Sequence, residues 1–253
     1  MVDTVKPILE ICSDPRSLGE AAAKFIAGTM VATVAAQGSC AIALAGGRTP
    51  RGTYGLLAER YVDKVPWSSV HVFWGDERCV PPDDPDSNFG MAKEALLGRV
   101  PIPPRNVHRI QGERSPADAA EAYEAELRAF FPRDCPLPTF DCVILGAGAD
   151  GHTASLFPGS RALEEANRWV VAVDAPEGVS CRHRVTLTLP AIDGSKTALF
   201  LISGADKNSV VRDLRRARDI PAATPAGRVC PEGELRVFAD LPALGIGTGG
   251  TRP

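Results

Sequence analysis

The chain has 253 residues, 44% of them hydrophobic, and a net charge of −3. That length suffices for one large domain with a sizeable core, while the slightly acidic balance disfavours nucleic acid or an anionic membrane as a partner, because both favour a basic face. Seven scattered cysteines without a C-x-x-C pair indicate a reducing compartment. The sequence shows no recognisable leader, and its longest apolar stretch, residues 25–36, is too short to span a bilayer. We therefore expect a cytoplasmic protein.

Apolar, strand-like runs alternate with helical patterns along the chain. Asp14 and Ser115 stand where they would cap helices, and each is followed by a proline suited to a first helical turn. In chain order the predicted elements are strand 8–12, helix 15–36, strand 40–44, helix 50–60, strand 70–74, helix 88–97, a weak strand 107–110, helix 115–131, strands 140–145, 169–174, 184–189 and 198–203, helix 206–217 and strand 235–239.

This alternation predicts the α/β fold class, with a largely parallel sheet covered by helices on both faces. No repeat or linker interrupts the pattern, and the proline-rich stretch 132–138 is too short to separate two domains. We therefore expect a single domain over residues 1–244, followed by a disordered tail over residues 245–253.

The turn after the second strand reads AGGRTP, residues 45–50. Gly46 and Gly47 let the backbone approach a ligand, and the helix that follows offers free N–H groups to an anion. Arg48 adds a positive charge and Thr49 a hydroxyl, so the turn has the chemistry of a phosphate cradle. A tight turn in which Thr49 merely caps the helix explains the same residues, and both interpretations stay open.

Charged residues follow the strand 70–74 directly, in the sequence GDER, residues 75–78. Asp76 or Glu77 could transfer a proton or orient sugar hydroxyls, with Arg78 beside them. A solvated turn containing a local ion pair is the alternative explanation.

The stretch FDCVILGAGADGHTASLFP, residues 140–158, is a buried strand that opens into a glycine-rich turn. Open α/β sheets bind ligands at such strand ends. His152 can exchange a proton near neutral pH, and the neighbouring Asp150 favours a functional role over a capping or core histidine. The glycines also fit the dinucleotide pattern G-x-G-x-x-G, but Pro158 interrupts the long helix that this pattern requires.

Two cationic positions later in the chain suit an anion site. Arg184 opens the sequence RVTLTLP, and Lys207 follows SGAD at the start of a helix. Either side chain could close on a phosphate held by residues 46–49, and ordinary surface charge is the alternative. No cluster of metal ligands stands out, so we predict neither a metal nor a cofactor.

Together these segments resemble the 6-phosphogluconolactonase family, over about residues 7–240. The matching blocks are ALAGGRTP, VFWGDERCVPPDDPDSNFGMAKEALL, FDCVILGAGADGHTASLFPGS, RVTLTLPAI and LFLISGADK. The resemblance implies a Rossmann-like sheet with a small additional lobe, shared with glucosamine-6-phosphate deaminases. It also implies an enzyme that hydrolyses 6-phosphogluconolactone and needs neither metal nor nucleotide. Its partner would be this small sugar-phosphate lactone, and we expect a monomer or weak dimer.

The resemblance also assigns roles to individual residues. His152 would be the general base, with Asp150 orienting it, and Asp76 and Arg78 would lie near the sugar ring. The residues that would bind the phosphate are Gly46, Gly47, Arg48, Thr49, Arg184 and Lys207. Many relatives read SGGSTP where this chain has Ala45 and Arg48, so two hydroxyls are missing and Arg48 would compensate.

A sugar-phosphate deaminase or isomerase is the rival function, because the deaminase family shares the glycine-rich turn and the D-G-H triplet. In that family a glutamate before the proline helps to open the sugar ring. This chain has Phe157 at the corresponding position. Deamination needs that carboxylate as a proton carrier and lactone hydrolysis does not, so Phe157 favours the lactonase.

Overall fold

The computed structural model describes residues 6–132, 135–216 and 224–246. Its strands are β1 (Ile8–Cys12), β2 (Cys40–Leu44), β3 (Val70–Trp74), β4 (Asp76–Arg78), β5 (Cys142–Leu145), β6 (Val170–Asp174), β7 (His183–Leu187), β8 (Thr197–Ile202) and β9 (Glu234–Asp240). Six of them form a parallel sheet in the order β1-β9-β8-β5-β2-β3. The other three form an antiparallel sheet in the order β4-β7-β6, called the small sheet below.

The α-helices lie between the strands, as the alternating pattern predicts. They are α1 (Pro15–Gln37), α2 (Arg48–Arg60), α3 (Asn88–Ala95), α4 (Pro116–Phe130), α5 (Leu189–Asp193), α6 (Asn208–Arg216) and α7 (Pro225–Arg228). Every residue of β2, β5 and β8 is buried, which is typical of a parallel sheet covered on both faces. The predicted fold class is confirmed, and the small sheet is the additional lobe.

Both predicted helix caps are confirmed. The Asp14 carboxylate accepts a hydrogen bond of 2.8 Å from the Ser17 N–H at the start of α1. The Ser115 hydroxyl accepts one of 3.3 Å from the Asp118 N–H at the start of α4. Each cap satisfies an N–H group that lacks a partner inside the helix.

Two expectations about elements need correction, and a third is not tested. The stretch Val107–Ile110 forms only an isolated bridge, between Val107 and Val72, instead of a strand; the His108 N–H donates a 2.8 Å hydrogen bond to the Val72 carbonyl there, and no ladder continues beyond it in the described residues. The strand predicted at 184–189 pairs antiparallel in the small sheet. The predicted tail lies largely outside the described residues; of it, only Gly245 and Ile246 are described.

Helix α1 is long and apolar enough, by length and composition alone, to cross a membrane. Core helices of globular proteins satisfy the same criterion when they are hydrophobic along a wide face. Here Leu18, Ala22, Ile26 and Met30 are buried in the hydrophobic core. Core packing therefore accounts for the apolar face of α1.

Two tyrosines fix the strand ends from which the candidate site is built. The Tyr54 hydroxyl, from α2, accepts a hydrogen bond from the Ala45 N–H and donates one to the Ala45 carbonyl, both 2.9 Å long. The Tyr123 hydroxyl, from α4, does the same for the backbone of Trp74, at 2.8 and 3.0 Å. Buried backbone groups at the ends of β2 and β3 thus find partners where the sheet ladder stops.

A hydrogen-bonded chain of side chains joins β3 to α4 at the opposite end of the strand. The His71 and His108 rings are linked by a 3.0 Å hydrogen bond, and His108 Nδ1 lies 2.7 Å from Glu126 Oε1. Burial, the charge of His108 and that of Arg105 all lower the pKa of His71. The folded protein therefore favours neutral His71.

This arrangement predicts a pH dependence of stability. The unfolded chain takes up the His71 proton first as the pH falls below about 6.5, so the contribution of neutral His71 is complete above that pH and is lost below it. We expect His71→Phe, which keeps a ring against Phe130, to show a smaller loss of melting temperature than wild type between about pH 7.5 and about pH 5.5. An unchanged loss in the variant would contradict this account.

Candidate active site

The loops that follow β2, β5 and β8 meet at one edge of the parallel sheet, because these strands are neighbours and run in the same direction. The loop after β2 contains residues 46–49, called the phosphate loop below. The loop after β5 contains residues 146–157, called the histidine loop. The small sheet begins directly after β3, since only Gly75 separates Trp74 from β4.

His152 is held on the histidine loop with one ring nitrogen occupied. Its Nδ1 lies 2.6 Å from Asp150 Oδ1, and its backbone N–H donates to the same oxygen at 3.2 Å. Its carbonyl accepts a 2.8 Å hydrogen bond from the Gly148 N–H. The side chain is about one third exposed, at 32%, and Nε2 has no hydrogen-bond partner in the described part of the chain. An imidazole in this state presents Nε2 outward as a proton acceptor.

The glycines of the histidine loop are required by the close approach of this pair. A Cβ atom on Gly148 would overlap the His152 ring and the Asp150 carboxylate, and one on Gly151 would overlap Thr224 at the start of α7. Gly151 also has a φ of +85°, which side chains disfavour. The glycine pattern thus serves the Asp150–His152 contact, and the loop continues into turns without the long helix of a dinucleotide site.

Asp150 is suited to orient the histidine. Partial burial opposes ionisation of its carboxyl, but hydrogen bonds from the His152 backbone and ring, together with the ring's charge, lower the pKa below its ordinary value. The carboxylate therefore stays charged near neutral pH. A charged acceptor on Nδ1 fixes the tautomer that leaves Nε2 free to accept a proton.

The phosphate loop presents backbone donors, and its hydroxyl does not cap the helix. Helix α2 begins at Arg48, its N-cap residue is Gly47 with φ +102°, and no side chain caps it. The alternative in which Thr49 caps the helix is therefore wrong. The N–H groups of Arg48 and Thr49 have no hydrogen-bond partner among the described residues, so they remain available to an anion.

The loop after β8 brings Lys207 to the side of the phosphate loop. Lys207 Nζ lies 3.0 Å from Asp206 Oδ2. That hydrogen bond, and more weakly the charge of Arg48, lowers the pKa of Asp206. Arg48 is thus near enough to act on the Asp206 carboxyl that Lys207 contacts.

Arg184 and Arg78 lie together on the small sheet. They face each other as a pair on β7 and β4, and in the described structure neither forms an ion pair. The Arg184 Nε and Nη2 donate to the carbonyls of Cys181 and Ser180, at 3.0 and 2.7 Å, and Arg78 Nη1 donates to the Asp86 carbonyl. Burial, and next the charge of Arg78, lower the pKa of Arg184, which favours an anion bound nearby.

Asp76 is buried beside this pair, and both of its carboxylate oxygens accept hydrogen bonds. Ser155 Oγ donates to Oδ2 at 2.6 Å, and Asn88 Nδ2 donates to Oδ1 at 3.2 Å. These two hydrogen bonds hold the carboxylate in place. Asp76 therefore links the histidine loop, through Ser155, to the start of α3, through Asn88.

Phe157 lies between the base candidate and an arginine. Its ring centroid is 4.8 Å from that of His152 and 5.9 Å from the Arg184 guanidinium carbon. The side chain is buried. It separates the imidazole from the guanidinium by an apolar ring and supplies no carboxylate to the site.

Sequence reasoning missed Asn88, Ser155 and Thr186. Each looks like an ordinary polar residue in its own segment. Asn88 and Ser155 donate hydrogen bonds to the Asp76 carboxylate, and the pairing of β4 with β7 places Thr186 opposite Asp76. Glu77 has a structural task, since its carboxylate accepts hydrogen bonds from Ser87 Oγ and from the N–H groups of Arg78, Asn88 and Phe89. One signal was present in the sequence, the Asp-x-Arg spacing. In an extended strand this spacing places Asp76 and Arg78 on one face and Glu77 on the opposite face.

Neither a metal-ligand cluster nor the cavity beside α3 adds catalytic groups to this site in the described residues. No three histidine, cysteine or carboxylate side chains gather within them as metal ligands would. A cavity of about 660 Å³ lies between the loop 82–85 and α3. Its lining residues do not include His152, Arg78 or Lys207.

Comparison with known proteins identifies the family. The family model for glucosamine-6-phosphate isomerases/6-phosphogluconolactonase matches residues 13–237. The chain belongs to this family. Within it, a 6-phosphogluconolactonase from Nostoc sp. is 37% identical to this chain over 242 residues, covering 94% of this chain and 98% of that relative.

Solved structures of family members share the fold. The 6-phosphogluconolactonase from Trypanosoma brucei superposes with a TM-score of 0.85 at 32% identity, covering 96% of this chain and 99% of that one. A monomeric glucosamine-6-phosphate deaminase superposes with a TM-score of 0.80 at 21% identity, covering 95% of this chain and all of that one. The second likeness shows a common fold only, so the choice between the two activities depends on the site.

Proposed function

We propose that this family member hydrolyses 6-phosphogluconolactone to 6-phosphogluconate. The observation that carries the proposal is the Asp150–His152 pair. Its 2.6 Å contact occupies Nδ1 of His152 and leaves Nε2 without a hydrogen-bond partner among the described residues, at the edge of the parallel sheet where β5 ends. A neutral imidazole with a free Nε2 can accept a proton from water, as a hydrolase requires.

In the proposed reaction, His152 Nε2 takes a proton from a water molecule as the water oxygen attacks the lactone carbonyl. A tetrahedral oxyanion forms. The C–O bond to the ring oxygen then breaks, and protonated His152 returns the proton to that oxygen, giving an open-chain acid. Asp150 stabilises the imidazolium that exists between these two steps.

The oxyanion needs positive charge or N–H donors close by. Arg78 is the candidate, because its Nε is buried without a hydrogen-bond partner among the described residues. A donor aimed at developing charge is worth ~3 kcal/mol. Arg184 lies next to it and adds to the positive potential.

The substrate phosphate would bind at the other flank, on the N–H groups of Arg48 and Thr49, the backbone of Gly46 and Gly47, and the Lys207 ammonium. The helix dipole of α2 favours an anion there. Arg184, expected from the resemblance in the same set, lies beside Arg78 and Phe157 instead of beside Lys207 in its observed contacts. Its part in phosphate binding stays a prediction.

Deamination of an amino sugar phosphate is less well supported. Phe157 occupies the space between His152 and Arg184 and offers no proton carrier. An assay of acid release from freshly generated 6-phosphogluconolactone, corrected for spontaneous hydrolysis, tests the proposal. Ammonia release from glucosamine 6-phosphate with no acceleration of lactone hydrolysis would overturn it.

Removal of the Lys207 charge should weaken substrate binding. A charge-assisted hydrogen bond of about 1.5 to 3 kcal/mol corresponds to a roughly 10- to 100-fold rise in KM for Lys207→Ala, with little change in kcat, since the phosphate does not react. Steady-state kinetics measure both constants. Lys24→Ala, which removes an exposed lysine of α1, is the matched control and should leave KM unchanged.

The same experiment on Arg184 decides its role. Arg184→Ala raises KM alone if the guanidinium binds phosphate, and lowers kcat if it acts beside Arg78.

We further propose a cytoplasmic enzyme that works as a monomer or weak dimer without cofactor. These properties remain predictions.

A further inference from the structure

A serine hydroxyl fastens the histidine loop to the small sheet. Ser155 is completely buried, at 0% exposure. Its Oγ donates a 2.6 Å hydrogen bond to Asp76 Oδ2 on β4, and its backbone N–H donates a 3.2 Å hydrogen bond to Thr186 Oγ1 on β7. A hydrogen bond to a carboxylate is stronger than one between neutral groups, so this contact is the firmest polar link between loop and sheet.

The receiving surface is one face of the small sheet. Asp76 pairs with Thr186 and Arg78 pairs with Arg184, and residues two apart on a strand point to the same side. These four side chains therefore form one face. Ser155 contacts the Asp76–Thr186 end of that face, and Phe157 contacts the Arg184 end.

The link determines where His152 lies, because the turn between them is tight. Thr153 and Leu156 pair in an isolated bridge, closed by a 2.9 Å hydrogen bond from the Leu156 N–H to the Thr153 carbonyl. Ala154 inside this turn has a φ of +47°, a left-handed conformation that persists only where surrounding contacts enforce it. A shift of Ser155 is thus passed on to His152 on one side and to Phe157 on the other.

Asp76 in turn is fixed from a third direction. Asn88, at the start of α3, donates from Nδ2 to the Asp76 carboxylate and to its carbonyl, at 3.2 and 2.9 Å. The Asn88 side chain fills the space beside Gly46, where an added Cβ would overlap it. The hydroxyl of Ser155 therefore connects the histidine loop to a frame that includes the phosphate loop.

We propose that Ser155 is a positioning residue of the reaction. Its hydroxyl, through Asp76, sets the distance between the His152 imidazole on the loop and the Arg78 guanidinium on the sheet. Asp76 serves as the hydrogen-bond acceptor that makes this link. The inference rests on the proposed function in one respect, that His152 is the base.

The test compares three variants of Ser155. Misplacement of a catalytic group by about 1 Å costs up to ~100-fold in rate, so we expect Ser155→Ala to lower kcat by roughly 10- to 100-fold while KM stays within about twofold. Ser155→Thr keeps the hydroxyl and should recover most of kcat. Ser155→Cys keeps the volume with a weaker donor and should fall between, which keeps the test valid if the alanine variant does not fold.

A matched serine on the same loop region separates positioning from general loss of stability. Ser160 donates nothing to the small sheet; its hydroxyl accepts a 3.3 Å hydrogen bond from the Ala162 N–H. Ser160→Ala should leave kcat at the wild-type value. A wild-type kcat in Ser155→Ala or Ser155→Cys would overturn the proposal, as would an equal fall in kcat for Ser160→Ala.

A second measurement does not depend on the lactonase activity. Amide hydrogen exchange in residues 148–157 should accelerate in Ser155→Ala and stay at the wild-type rate in Ser155→Thr, because the loop loses its link only in the first. Unchanged exchange in Ser155→Ala overturns the link itself. Absence of lactone hydrolysis by the wild-type protein would instead overturn the proposed function, so the two failures are distinguishable.

Discussion

Replacement of His152 by alanine should lower kcat by ~100- to 10,000-fold, the contribution of a positioned general base. KM should change little, because the phosphate contacts proposed on the α2 and Lys207 flank remain intact in this variant. Initial rates of acid release on fresh 6-phosphogluconolactone at saturating substrate measure the effect.

The chain contains a matched control for this variant. His183 on β7 also bonds a carboxylate through Nδ1, lying 2.8 Å from Asp174 Oδ1, but its side chain is 59% exposed. His183→Ala therefore removes a histidine–aspartate pair of the same kind outside the site and should leave kcat unchanged. Turnover by His152→Ala at the wild-type rate would remove His152 from the role of base.

The fold of this chain is largely predictable because its parallel strands are short apolar runs separated by helical patterns. The sequence predicts the bounds of β2 and β3 to the residue, since Cys40–Leu44 and Val70–Trp74 are uninterrupted apolar runs that end in glycine-containing turns. The three residues of β4 were not recognised as a strand. A charged Asp-Glu-Arg segment has no hydrophobic period, and it is extended only because β7 supplies its partner.

The site was predictable to the extent that its groups come from single segments. The Asp150–His152 contact joins residues two apart, so one turn of sequence contained it. The link from Ser155 to Asp76 joins residues 79 positions apart, and the pairing of Arg78 with Arg184 depends on strand register. Tertiary geometry of this kind has no signal in a single sequence, which explains why the sequence predicts the Asp150–His152 pair but not the residues that support it.

Arg78→Gln should give the second large loss, a fall in kcat of ~100- to 1,000-fold. Glutamine keeps N–H donors but removes the charge, so the variant separates electrostatic stabilisation of the oxyanion from simple hydrogen bonding. Arg78 has a buried Nε without a partner among the described residues, and the orientation of its guanidinium is fixed by the Asp86 carbonyl. Such a preorganised cation costs little reorganisation when charge develops on the lactone oxygen.

The control for Arg78 is Arg182→Gln, because Arg182 lies two residues from Arg184, is exposed, and pairs with Asp174 at 3.3 Å. It should leave kcat unchanged, since a screened surface charge contributes little at a distance. A rise in KM for Arg78→Gln with kcat preserved would contradict the oxyanion role, and would assign Arg78 to ground-state binding of the phosphate. Arg78 and Arg184 would then form the phosphate site together, and the Lys207 flank would hold the lactone ring, which reverses the proposed orientation of the substrate.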